Sequence, residues 1–512
     1  MLNKMPKIIF LGCGLVATCV LEMFEKFSIG KQVMHHYDKI LIIDMRDKSK
    51  EPTIENLKND IRISVVRVEI TQENIEGQLL NHVKRGDFLV DLSYNIYFKP
   101  LICKCLQVGA HYINTTTEHW PTESVEQFGN LEINFHLPTL HEDHDEYRSL
   151  LRGSKDHQKS SILIINGANP GLISHFGRMG LYRISQLILK QAKEQKIHND
   201  AVKQLKKAYS SLNFPMMAYL LDLQVLECSE TDTQVAIEKR KPGEFPCTWS
   251  PFSFYSEAVD PVQLGYGTHE EKMPEKAVVS YGEPNEIYIP LRGMDMVSQS
   301  YVYDRKITGM LISHAENDTL SRALTLKDEH GKVLYRPSCY YTYSPMQDTL
   351  DGFREIRNNS YVFLPKEKPL RGYDIKSGAD ILGSLLSFGC NPVEKILHGK
   401  RDMSKNLCYW IGSVLSIEQT REMGFVYSGP TTVQVAVSML SAMKWMIKHP
   451  KRGLLFPEDL PFDKIFNECV PFLGTMYSDF VPYRRPTTQF TGYHAFLTTK
   501  DSAEVPSYCN IM

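Results

Sequence analysis

From residue 7 the chain alternates short apolar runs with stretches whose apolar positions recur every three or four residues, the pattern of strands followed by amphipathic helices. Ile8, Ile9, Phe10 and Leu11 form the first run, and Val16, Val20, Met23, Phe24 and Phe27 then fall on one side of a helix. Further strands are predicted at Lys39 to Asp44, Ile63 to Ile70, Gly86 to Asp91 and His111 to Thr115, with a helix stopping near Gly109. Alternation at this spacing implies parallel strands joined by right-handed crossovers, a doubly wound Rossmann-type α/β domain. Several β-like runs between residues 169 and about 404 predict a second, α+β domain that carries substrate and dimerisation surfaces. From about 405 to 512 helical recurrence of small apolar residues predicts a return to the first domain, which otherwise spans residues 1–168. Within that return Val433, Val437, Leu440, Met443 and Ile447 share a face, and Gln434 and Lys444 interrupt the run, so a core helix is expected there and not a membrane span.

Composition narrows the picture. A chain of 512 residues is too long for one compact core, and its 42% hydrophobic and 23% charged residues suit ordinary globular domains. With 58 basic against 60 acidic residues, no whole-molecule field exists to hold nucleic acid or an anionic membrane, so any preference for a cation must be built locally. The eleven cysteines show no C-x-x-C spacing and read as buried thiols in a reducing compartment, without a metal site. The apolar run Ile8 to Leu11 breaks at once into Gly12-Cys13-Gly14, which is no signal peptide, and a cytoplasmic protein is expected.

That break is itself informative. Gly12-Cys13-Gly14-Leu15-Val16-Ala17 fits G-x-G-x-x-A between a strand and a helix, the context the dinucleotide fingerprint requires. Gly12 serves the tight turn, Gly14 the approach to a pyrophosphate and Ala17 the close packing of helix on strand, while Leu15 and Val16 open the helix whose N-terminus faces the anion. Asp44, at the end of the second strand, is placed to accept hydrogen bonds from a ribose and disfavours a 2′-phosphate, so NAD is expected, with Arg46 and Lys48 weakening the preference. Asp91, Ser93 and Thr116, after the fourth and fifth strands, are further expected cofactor contacts. Gly265-Tyr266-Gly267 lacks a fitting strand before it and reads as a loop.

Further along, Ser161 to Ile165 ends in Asn166-Gly167-Ala168-Asn169-Pro170-Gly171, a turn at the mouth of the crevice where Asn169 is placed either to touch nicotinamide or substrate or, as a turn residue, to bond its own backbone before proline. Glu230, Trp249 and Glu257 follow. An indole face attracts an ammonium and carboxylates at either end of a slot select a diamine by length. Taken singly, each glutamate reads equally as a solvated surface acid and the tryptophan as core. Several local motifs add to them: Asn-Thr-Thr-Thr-Glu118-His-Trp, Gly-Ala-Asn169-Pro-Gly-Leu-Ile-Ser-His, Thr-Trp249-Ser, Ser-Glu257-Ala, Leu-Gly-Tyr-Gly-Thr-His-Glu270, Ser-Gly-Ala-Asp-Ile-Leu-Gly383 and Tyr-Trp410-Ile-Gly. Together, over roughly residues 8 to 455, they resemble the bacterial-type homospermidine synthases, a group similar to saccharopine dehydrogenases.

The resemblance implies an NAD-dependent transfer of an aminobutyl group between polyamines such as putrescine and spermidine, in a homodimer. It implies that Trp249, Glu230, Glu257, Glu118 and Asn169 line the diamine site, the tryptophan guiding cationic intermediates, and it places His314 of Leu-Ile-Ser-His-Ala-Glu there as well. Two other functions are weighed: a reductase of a carboxylated polyamine or saccharopine, which needs an arginine such as Arg292, and a non-enzymatic NAD-binding regulator. The cluster His136, His141 and His144, beside Glu142, Asp143 and Asp145, matches no common zinc spacing and is expected in an exposed loop. Tyr340, Tyr341 and Tyr343 are expected to pack as a strand, and the tail after Asp479, with Arg484-Arg485-Pro486, to be a loose extension.

Overall fold

The computed structural model describes residues 6–58, 61–121, 139–150, 159–274, 277–279, 286–404, 407–483 and 498–499. In the first sheet β1 (Lys7–Leu11), β2 (Lys39–Asp44), β3 (Arg62–Arg67), β4 (Phe88–Asp91), β5 (His111–Asn114) and β6 (Ser161–Leu163) lie in the order 6-5-4-1-2-3, and Gly453–Leu455 adds outside β6. Every pairing in it is parallel. Ile8 to Leu11 are buried to the last residue because a parallel sheet is covered on both faces. On one face lies α1 (Leu15–Lys26), packed against a helix that returns from far along the chain, Pro430–Lys448. The order of strands reverses between β1 and β4, and that reversal opens a crevice at their carboxyl ends.

The second sheet is mixed, with eleven strands. β7 (Leu223–Asp232) runs through its centre, parallel to β8 (Ser338–Ser344) and antiparallel to β9 (Ala379–Phe388), which in turn pairs with β10 (Cys408–Ser416). Here the expected boundary needs correction. The segment from Cys408 to Ser416 does not return to the first domain, and neither does Thr475–Phe480; both are strands of the second sheet. The reason is packing across the pair: the Trp410 ring lies over Gly383 and Gly412, where a Cβ would come within 2.4 and 2.5 Å of it. The Pro430–Lys448 helix packs on α1 and the Gly453–Leu455 strand joins the first sheet, so that part of the return is as expected.

Three smaller expectations change as well. Of the tail after Asp479, Val481 and Tyr483 are buried beside Tyr301, the Tyr483 hydroxyl donates to the Gln299 carbonyl at 3.1 Å, and Thr498–Thr499 pairs with Met296 and Val297; the rest, with Arg484-Arg485-Pro486, lies outside the described residues. Gly265 ends a strand, Pro261–Gly265, and its missing Cβ leaves room for the Asn317 carbonyl 2.3 Å from where that carbon would sit. His141 and His144 are not in an exposed loop. They sit buried on α2 (Leu140–Ser149), which Thr139 and Glu142 open with a reciprocal capping box; His136 lies outside the described residues. Their Nδ1 atoms stand 3.2 and 2.7 Å from the two oxygens of Asp318 on α3 (Glu316–Ala323), so an acid far along the chain, and not solvent, receives them. His141, Glu286 and Asp318 bring three ligand-type atoms together, but an Arg322 nitrogen lies 2.9 Å from the same His141 nitrogen, and the guanidinium supplies the positive charge there. Among the described residues no helix is long and apolar enough to cross a membrane, and all cysteines except Cys103 are buried.

Candidate functional site

The glycine turn has the geometry of an anion cradle. Gly12 has φ +82°, and a Cβ there would meet the Leu92 carbonyl at 2.6 Å, so the turn is closed to any other residue. Gly14 has open space on its Cβ side, and the N-terminus of α1 has no side-chain cap, which leaves its first N–H groups free for an anion. Asp44 accepts from the Cys13 N–H and the Arg46 N–H, both at 2.7 Å, tying the end of β2 to the turn. The two nearby cations are already matched: Arg46 lies 3.6 Å from Glu367 and Lys48 3.5 Å from Glu51, which Arg371 also holds at 2.9 Å. Little free positive charge remains to attract a 2′-phosphate.

One cleft of about 790 Å³ runs from this turn to the second sheet. Gly12, Gly14, Leu15, Val16, Ala17, Asp44, Ser93 and Thr116 line its first part, and Glu118, Asn169, Glu230, Trp249, Glu257 and His314 its second. Asp91 is the exception. Its carboxylate points inward, accepting from Ser93 Oγ at 2.6 Å and from the Tyr112 hydroxyl at 2.7 Å, so it braces the strand end and does not face the cleft.

The acids of the second part are brought in by different elements. Glu230 stands on β7, with one oxygen accepting from the Asn169 amide at 2.7 Å and the Tyr341 hydroxyl at 2.6 Å. Asn169, expected to meet a ligand itself, lines the cleft and also orients Glu230. Glu257 comes from the helix Pro251–Val259, with His314 Nε2 3.7 Å away, and Glu118 accepts from the Asn95 N–H at 3.1 Å. Burial drives the carboxyl of Glu118 up to about 8 and that of Glu257 up to about 7. Glu230 is raised too, again by burial, against the pull of its donors. His314 is pushed the other way by burial but gains more from Glu316, 2.6 Å from its Nδ1, and from Glu257, and its imidazole rises to about 9. Trp249 is half-buried, leaning on Phe254 at 5.6 Å between ring centroids with the rest of the indole on the cleft. Raised carboxyls around an indole are able to bind a cation and to accept protons near neutral pH.

Sequence reasoning missed three residues. Tyr341, expected only to pack, is the donor to Glu230; Asp260 lines the cleft one helical turn after Glu257, its carboxyl lifted by burial to about 7; and Asp380 lies behind Glu230. The three-residue step from Glu257 to Asp260 was a readable signal, whereas the other two depend on strand register.

Residues 8–148 match the saccharopine dehydrogenase NADP binding domain, and residues 167–479 the saccharopine dehydrogenase C-terminal domain. The chain belongs to the saccharopine dehydrogenase family. Within it, homospermidine synthases of Mesorhizobium japonicum and Blastochloris viridis are each 25% identical, over 94% and 93% of this chain and 92% of theirs. A crystal structure of the homospermidine synthase of Legionella pneumophila in complex with NAD superposes with a TM-score of 0.75 and 27% identity, covering 96% of this chain and 98% of that one. The chain is a homologue of these enzymes along almost its whole length. The cleft lies between the two sheets: the first domain supplies the turn and Glu118, and the second the remaining acids and the indole.

Proposed function

We propose that this protein is an NAD-dependent homospermidine synthase, joining two putrescines, or spermidine and putrescine, with release of ammonia or diaminopropane. The observation that carries the reading is that a single cleft holds the glycine turn together with Glu118, Glu230, Glu257 and Trp249. Arg292, the arginine a carboxylated substrate was expected to use, stacks on the Tyr361 ring at 3.9 Å and is not among the residues lining the cleft, and Arg46 and Arg371, which do line it, are paired with Glu367 and Glu51. A regulator that only bound NAD would have no use for one buried and several half-buried acids that oppose folding.

NAD, held by Gly12, Gly14, the N-terminus of α1 and Asp44, supplies a hydride acceptor that can give the hydride back. The protein does the rest with protons and charge. An alkyl ammonium, with a pKa of about 10, must lose a proton before its neighbouring carbon yields hydride. Burial favours the neutral amine, and Glu118 or Glu257, raised to about 8 and 7, is matched to take that proton near neutral pH. Glu230, fixed by Asn169 and Tyr341, holds the other ammonium of the diamine. Trp249 offers its ring face to the passing iminium without a nucleophile that would trap it. The test is to incubate the purified protein with putrescine and NAD and to follow homospermidine, ammonia and NADH together. Product and ammonia form in equal amounts without net NADH; steady NADH accumulation, or no product, would refute the reading.

A further inference from the structure

Behind Glu230 the second sheet carries two more carboxyls on the same face. Glu230 and Asp232 are two residues apart on β7, and Asp380 on β9 lies directly across from Asp232 and diagonal to Glu230. All three are buried, Asp380 completely. Three negative charges at this spacing in a dry interior are not sustainable, so at least one carboxyl carries a proton.

The hydrogen bonds identify which one. Asp232 accepts from the Gln234 N–H at 2.8 Å, the Gln234 amide at 3.0 Å and the Thr248 hydroxyl at 2.9 Å. Glu230 accepts from Asn169 and Tyr341. Neither oxygen of Asp380 makes a hydrogen bond of ordinary geometry among the described residues, though the Thr431 hydroxyl lies close enough to favour its charged form. The groups facing it are Glu230 and Asp232 from β7, Tyr343 from β8, and Thr431 of the Pro430–Lys448 helix, whose hydroxyl donates to Thr248 at 3.2 Å. The only support for the charged form of Asp380 found among these groups is the Thr431 hydroxyl, which also serves Thr248, while Glu230 is an acceptor within reach of the protonated form. Burial and the two neighbouring acids act in the same direction, holding the Asp380 carboxyl well above the ordinary range.

We infer that Asp380 is a positioning residue that stays protonated and donates its hydrogen to Glu230, keeping Glu230 as the carboxylate that receives a substrate ammonium. A carboxylic acid held neutral by its surroundings so that it can donate a hydrogen bond is a known device of active sites. The inference rests on the polyamine reading only for the identity of the cation. The proton itself can be tested without any substrate.

Two variants separate this role from packing. Asp380→Asn keeps a donor toward Glu230 but cannot titrate, and Asp380→Ala removes the donor. Infrared spectra of the substrate-free protein at pH 7 should show protonated-carboxyl C=O absorption, and the parent-minus-Asp380→Asn difference should show the loss of one such stretch while those of Glu118, Glu257 and Asp260 remain. Calorimetric titration with putrescine across pH should then give Asp380→Asn an affinity within about threefold of the parent. Asp380→Ala should bind roughly tenfold more weakly at pH 7, with the pH midpoint of binding moved upward, because Glu230 has lost one donor to its charged form. An infrared spectrum unchanged by Asp380→Asn would overturn the inference, as would equal losses in the two variants, the signature of packing alone. If Asp380→Ala does not fold, the infrared result and the Asn variant still decide. A parent protein that binds no diamine would refute the polyamine reading and leave the infrared test of Asp380 standing.

Discussion

Glu118 gives the most quantitative prediction, because its burial ties catalysis to stability. Its carboxyl is raised from 4.5 to about 8, chiefly by burial, with Asp91, Glu257 and Asp260 adding to the effect and only the Asn95 N–H opposing it. At 1.36 kcal/mol per tenfold change that displacement corresponds to roughly 5 kcal/mol, which relaxation and water access in a cleft reduce to about 2 kcal/mol. For a carboxyl held above its unfolded value, the folded state binds more protons than the unfolded state between the two values, so stability falls as pH rises from about 4.5 to about 8 and is level on either side. Glu118→Gln removes this dependence. Its stability relative to the parent should therefore grow by about 2 kcal/mol between pH 5 and pH 9, read by urea unfolding, while its turnover of putrescine drops at least tenfold if the carboxylate takes the proton. Added putrescine should narrow the stability gap at pH 8, since the ammonium supplies the missing counter-charge. A stability difference that does not vary with pH would show that Glu118 titrates as an exposed acid and would refute the reasoning.

Other outcomes follow from the same geometry. Trp249→Ala should lower kcat about 2- to 30-fold, the equivalent of a cation–π contact of 0.5–2 kcal/mol, and leave NAD affinity unchanged by calorimetry. Tyr341→Phe removes a 2.6 Å donor to Glu230, so the acid limb of kcat/KM should move to higher pH with a loss of roughly 3- to 10-fold at pH 7. In the parent protein that limb should fall near pH 7 to 8, where Glu257 and Glu118 ionise, and not near 4. Asp44→Asn should weaken NAD at least fivefold and narrow its advantage over NADP, measured by fluorescence titration of the reduced cofactors.

Much of this was legible in the chain, for a physical reason. The glycine turn, the parallel strands and the core helix over Val433 to Ile447 are local patterns, each written within about twenty residues, and they reappear as β1, α1, β2 and the Pro430–Lys448 helix. Glu118, Glu230, Trp249 and Glu257 were legible only through the family's motifs, because nothing near them in sequence says that they meet. Pairings across long separations stayed hidden. Tyr341 reaches Glu230 because β8 runs parallel to β7 in a register that sets Tyr343 opposite Glu230, and Asp380 does so from the other side of β7. His141 and His144 misled because charged neighbours usually mean solvent, whereas here Asp318 receives them in the interior. Asp91 misled in the opposite sense, as an acid at a strand end whose partners lie within its own sheet.

The most direct measurement of the central claim is a crystal structure of the protein with NAD and putrescine bound. The account predicts the diamine in the cleft, one ammonium on Glu230, the reacting nitrogen toward Glu118 or Glu257, and the carbon chain against the Trp249 ring. A diamine bound away from these acids, or Trp249 turned out of contact with it, would contradict the account.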